Sequence, residues 1–119
     1  MADITPTIEE IVTRGDDGHI ITWGPMTAGD VGLPIAMMGS ARRTVQIVGT
    51  FSGMDRVLIE GSIDSQNYSP LTDNHGNRLE FKGAGLSSIS DLTRLIRPRV
   101  SAGSPTGVLV SLLVRKEFR

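Results

Sequence analysis

The chain contains no cysteine among its 119 residues. Disulfides and thiolate metal sites are therefore excluded, which suits a protein made in a reducing cytoplasm. Aromatic residues are only 4% of the sequence, so a core must be built from Val, Ile, Leu and Met. No apolar run approaches the ~20 residues of a membrane-spanning helix, and no membrane contact is expected. Neither sign of charge dominates: 12 Lys and Arg stand against 13 Asp and Glu, for a net charge of −1. Nucleic-acid binding needs a concentrated basic surface. The basic clusters here (Arg42-Arg43, Arg94/Arg97/Arg99 and Arg115-Lys116) are interrupted by acidic or apolar neighbours. The opening MADITPTIEE is acidic and polar, unlike a secretory signal.

What is abundant is turn chemistry, with 14 Gly and six Pro. The length fits one domain, and folding at this size buries roughly two-thirds of the unfolded chain's surface. The stretch Thr44 to Asp64 carries the clearest pattern. Val45, Ile47, Gly49 and Phe51 alternate with Thr44, Gln46, Val48 and Thr50; then Val57, Ile59, Gly61 and Ile63 alternate with Leu58, Glu60 and Ser62. That is the period-two signature of strands with one buried face. Ser52-Gly53-Met54-Asp55 between them predicts a tight turn, and the whole reads as a hairpin.

Around this stretch the spacing predicts further strands. Ile8 to Arg14 has the form of a capping box, Thr7 with Glu10, but its β-branched residues favour a strand. Gly15 to Gly18 reads as a turn and His19 to Trp23 as the returning strand. Arg14-Gly15-Asp16 is also the tripeptide that integrins read, although a hairpin turn explains it more simply. Gly24 to Gly32 reads as a loop, Leu33 to Met38 as an edge strand beginning near Pro34, and Gly39 to Arg42 as a turn. Met37 and Met38 suit irregular core space. Beyond Asp64, Tyr68 to Leu71 and Arg78 to Lys82 read as strands, with an exposed His75 in the turn Thr72 to Asn77 between them. Leu86 to Leu92 suits a crossover or a single helical turn. Leu95 to Ser101, with Pro98 marking an edge or bulge, and Val108 to Arg115, with Val108, Val110, Leu112 and Val114 inward, complete the set. About eight short strands with Gly, Pro and Asn turns predict an all-β, single-domain antiparallel β-sandwich, jelly-roll-like or Ig-like. An N-terminal arm of about residues 1–7 and a charged tail at 116–119 flank it.

Chemistry is scarce. His19 and His75 lie at turns or strand ends, and nothing marks a nucleophile elbow. Asp73 to Asn77 lacks the spacing and terminal Glu of a calcium loop. Gly83-Ala84-Gly85 departs from the dinucleotide fingerprint. No catalytic residue, cofactor or metal ligand is therefore expected. Trp23 and Tyr68 admit two readings, a sugar-stacking platform or core packing, of which packing is favoured. Val48, Leu58, Leu109 and Leu113 lie opposite the predicted core faces, as candidates for an interface. Arg97 and Arg99 share a face with Leu95 and suit pairing with acidic groups on another chain.

A resemblance sharpens this. Thr44 to Phe51 (TVQIVGTF), Ile59 to Asp64 (IEGSID), Tyr68 to Asn77 (YSPLTDNHGN), Leu79, Phe81 and Arg97 to Val100 (RPRV) follow Gly29-Asp30-x-Gly32-x-Pro34 in order. Over roughly Trp23 to Val114 the chain resembles small virion structural proteins of tailed bacteriophages, of the capsid decoration or cement type. The resemblance implies a non-enzymatic protein made in the host cytoplasm. It would bind the major capsid protein on the capsid surface and self-associate, as a trimer. A tail or baseplate component and a carbohydrate-binding module using Trp23 and Tyr68 are the alternatives.

Overall fold

The computed structural model describes residues 3–13, 16–36 and 42–115. Twelve strands are found among them: β1 (Asp3–Ile4), β2 (Thr7–Thr13), β3 (Asp16–Met26), β4 (Val31–Gly32), β5 (Ile35–Ala36), β6 (Arg42–Thr50), β7 (Arg56–Ser62), β8 (Ser69–Pro70), β9 (Glu80–Phe81), β10 (Gly85–Ser88), β11 (Leu95–Ala102) and β12 (Thr106–Arg115). They form two sheets packed as a β-sandwich. One has five strands in the order β10-β6-β12-β3-β2. The other has seven: β1-β4-β11-β7-β8, with β5 on β11 and β9 on β7. The count exceeds the expected eight because five of the twelve strands are only two residues long.

The buried layer between the sheets is aliphatic, as the shortage of aromatics requires. Val45 and Ile47 from β6, Val108, Val110 and Leu112 from β12, and Ile21 and Trp23 from β3 meet Val57, Ile59, Ile96 and Val100. The alternation in β6 and β12 therefore identified the inward side chains correctly. Strand β2 forms, and it pairs with β3 from Thr7↔Thr22 to Thr13↔Asp16. Arg14 and Gly15 lie outside the described residues, as do Met37 to Ala41 and the charged tail at 116–119.

The central expectation fails in an instructive way. The strands at Thr44 and Asp64 do not pair with each other. β6 lies between β10 and β12 in the five-stranded sheet, whereas β7 lies beside β11 in the other. The turn does form: Asp55 N–H donates to Ser52 O at 2.9 Å and Ser52 N–H to Asp55 Oδ2 at 2.7 Å. Asp55 Oδ1 also accepts the N–H of Ser104 at 2.8 Å, tying the turn to the loop before β12. The chain thus arches from one layer to the other. Every residue of β7 from Val57 to Ser62 is buried, and a strand buried on both faces belongs in a sheet interior rather than in a two-stranded ribbon.

Other corrections are local. β3 runs on to Met26, and β4 occupies Val31–Gly32, so the expected Gly24 to Gly32 loop shrinks to residues 27–30. The strand expected over Arg78 to Lys82 contracts to Glu80–Phe81, and the ambiguous Leu86 to Leu92 begins as β10. The N-terminal segment is no free arm: Asp3 and Ile4 pair in parallel with Val31 and Gly32, and Leu33 N–H donates to Ile4 O at 2.8 Å. Pro98 lies in an interior strand, not on an edge. It faces Ile59, whose own N–H and C=O are used by Leu79 and Leu71. The missing N–H of Pro98 therefore points the other way, where the neighbouring strand is broken between β4 and β5.

Candidate functional site

Strand parity gives each sheet one outward face, and the two faces differ in kind. On the five-stranded sheet, Leu109 stands opposite Val48, and Leu113 lies in register with Thr44 and Ile20. Ser111 lies between Gln46 and Thr22, and Leu86 extends that row on β10. Val48 is 42% and Leu109 37% exposed. A hydroxyl pair, Thr22 Oγ1 and Ser111 Oγ at 3.2 Å, closes part of the polar edge. Across β3, β12, β6 and β10, the rows from Leu113 to Leu109 carry no charged side chain. Charge depletion around exposed aliphatics is what distinguishes the centre of a protein interface from ordinary surface. Three of the residues singled out from sequence, Val48, Leu109 and Leu113, are thus brought onto one face.

The seven-stranded sheet turns a charged network outward. Glu60 on β7 is only 4% exposed although it points away from the core. Its Oε1 accepts from Arg97 Nε at 3.2 Å, and its Oε2 accepts from Arg99 Nε at 3.2 Å and Arg99 Nη2 at 3.0 Å. The Arg97 guanidinium lies 3.7 Å from the centre of the Tyr68 ring, a cation–π arrangement. Both arginines therefore bond an acid within the chain. Leu58, in register with Arg99 and Glu80 on this same face, is buried and offers no surface to a partner. Glu60 and Tyr68 escaped sequence reasoning as members of this cluster. Parity placed Arg97 and Arg99 together, but only the register of β11 on β7 sets them over Glu60.

Trp23 belongs to the core, 1% exposed, with its Nε1–H donating to Leu33 O at 2.8 Å. The aromatic platform of a carbohydrate-binding module is therefore not assembled from Trp23 and Tyr68. The turn acids are consumed locally. Asp64 accepts from the N–H groups of Asn67 and Gln66, and Asp73 from those of Asn77 and His75. The Asn67 and Asn77 amides respectively, with these neighbours, hold both carboxyls below their ordinary range. Arg43 is buried at one end of β6, where its Nη1 and Nη2 donate to Asp91 O and Thr93 O at 3.1 and 3.0 Å. Burial depresses its pKa. These groups close loops and ends, and they do not converge on a shared point. No protein-family model, curated protein or solved structure matches the chain.

Proposed function

We propose that this is a non-enzymatic virion protein that binds the major capsid protein on the outside of a phage capsid and stabilises contacts between coat subunits. The observation that carries this reading is the uncharged central part of the outer face of the five-stranded sheet, the rows from Leu113 to Leu109 across β3, β12, β6 and β10, with Val48 and Leu109 exposed side by side. A rigid sandwich with a broad aliphatic face suits a large, shallow protein contact. The opposite sheet has both arginines engaged by Glu60 and its Leu58 covered, so docking would be one-sided. The order of the phage-like segments supplies the identity of the partner.

The test is sedimentation of the purified protein with emptied or expanded capsids of its own phage. Wild-type protein is expected in the capsid pellet. Val48→Asp and Leu109→Asp place a carboxylate in the face without entering the core, so both should fold and remain in the supernatant. Wild-type protein that fails to pellet with capsids, or that pellets with isolated tails instead, defeats the proposal in favour of neither partner or the tail component.

A further inference from the structure

We propose that β10 is a strand-pairing edge for a second copy of this chain, joined about a two-fold axis at Leu86. This inference does not rest on the capsid reading. Among the described residues β10 ends the five-stranded sheet and pairs only with β6. Ile89 N–H donates to Arg43 O at 3.0 Å. Parity along the register Gly85↔Ile47 to Ser88↔Thr44 then turns the N–H and C=O of Leu86 toward the open edge. They have no bonding partner among the described residues. The Leu86 side chain is 69% exposed.

The other sheet edges are guarded. β2 carries the exposed Glu9 near its middle, which would oppose like charge in a self-pair, and β1, β8 and β9 are two residues long. Charges and short strands are the ordinary means of blunting an edge. β10 has neither charge nor proline. Its free run stops at Ser90, whose N–H is taken by Thr72 O at 3.0 Å. Any antiparallel pair there keeps both copies' outward faces on one side, and Leu86 and Ser88 both turn their backbone groups to the edge. The register centred on Leu86 is the one that also sets the two exposed Leu86 side chains together. The Leu86 N–H and C=O would exchange bonds with those of Leu86 in the second copy, with the two side chains adjacent. The face that carries Val48 and Leu109 would then continue across the joint, through the neighbouring row that ends at Leu86.

Sedimentation equilibrium over a concentration series, without capsids, tests this. Wild-type protein is expected to reach a reversible dimer. Leu86→Pro deletes an N–H that the protomer's own ladder does not use, and Leu86→Lys sets two cations face to face at the axis. Both are expected to be monomeric at every concentration, with unchanged far-ultraviolet circular dichroism. If one variant fails to fold, the other still decides. A wild-type protein that is monomeric throughout, a trimer as the phage resemblance implies, or a dimer that survives both substitutions overturns the proposal. Because capsids are absent, its failure is distinct from failure of the capsid reading.

Discussion

Glu60, Arg97 and Arg99 allow a prediction about which member of an ion network is the most costly to remove. The Glu60 side chain is 5% exposed, while those of Arg97 and Arg99 are 25% and 36% exposed. Glu60→Gln removes the acid but leaves two cations that water already reaches, so they rehydrate in place. The expected cost is about 1–2 kcal/mol, the net worth of charge-assisted hydrogen bonds that solvent partly replaces. Arg99→Met keeps the aliphatic stem but strips both bonds from Glu60 Oε2. A buried carboxylate oxygen is then left unpaired, and the expected cost is about 2–4 kcal/mol. In the double variant no buried charge is stranded. It should cost little more than Glu60→Gln alone, which gives a coupling of about 2 kcal/mol between the sites. Urea unfolding followed by the fluorescence of Trp23, the single tryptophan, reads all four proteins. With m near 1–3 kcal/mol/M, the Arg99→Met midpoint should fall by about 1–2 M at unchanged m. A larger loss for Glu60→Gln than for Arg99→Met, or additive effects in the double variant, would refute the argument that burial of the acid sets the cost.

Two further outcomes follow from single positions. Asp64 and Asp73 titrate below their ordinary range in the folded protein, because backbone amides bind the charged form. A depressed folded pKa contributes stability that is present above the unfolded value of about 3.9 and is lost as pH falls through the folded value. Urea midpoints should therefore hold from neutrality to about pH 4 and drop below it; Asp64→Asn should start lower at neutral pH and show a shallower acid decline, and an equal slope in the two proteins would count against the linkage. Gly32 faces Pro98 Cδ and Trp23 Cδ1, and a Cβ there would come within 2.5 and 2.6 Å of them. Gly32→Ala should lower stability by about 1–3 kcal/mol through overpacking and shift the Trp23 emission; a neutral midpoint with unchanged emission would show that the contact yields freely.

The faces of strands were legible in the sequence, but their partners were not. Period-two alternation states which side chains are wet, and for Val45, Ile47, Val108, Val110 and Leu112 that reading holds. It carries no information about which sheet a strand joins. Ser52 to Asp55 has the composition of a hairpin turn, and the local bonds of such a turn form here. The same four residues instead carry the chain across the layers, because β7 needs cover on both faces and Asp55 is anchored to Ser104. The signal was present in Val57-Leu58-Ile59, three consecutive apolar residues that are all buried. Such a run marks an interior strand better than a ribbon. Leu58 was misplaced for the same reason: a residue opposite the core face is exposed only if nothing covers that face. The Arg97–Glu60 contact joins positions 37 apart in sequence, so only the strand register reveals it.

One rule of parity thus produces two unlike surfaces, and the difference bears on function. A charged face whose groups are already bonded within the chain gains less from a partner, since a partner would have to compete with bonds already made. Arg97 and Arg99 are in that position, held by Glu60 and, for Arg97, by the Tyr68 ring. An aliphatic face without charge leaves its apolar surface in water, and covering it returns that free energy without breaking anything. Val48, Leu109 and Leu86 are in this second position. The arginines, the residue type most often enriched at interfaces, are accordingly the structural element here. In the proposed reading the adhesive element is the uncharged part of the other sheet, with Val48 and Leu109 exposed. Charge placed on that side, at Val48 or Leu109, should change what the protein binds while leaving its unfolding midpoint nearly fixed, whereas changes at Glu60 or Arg99 should do the reverse.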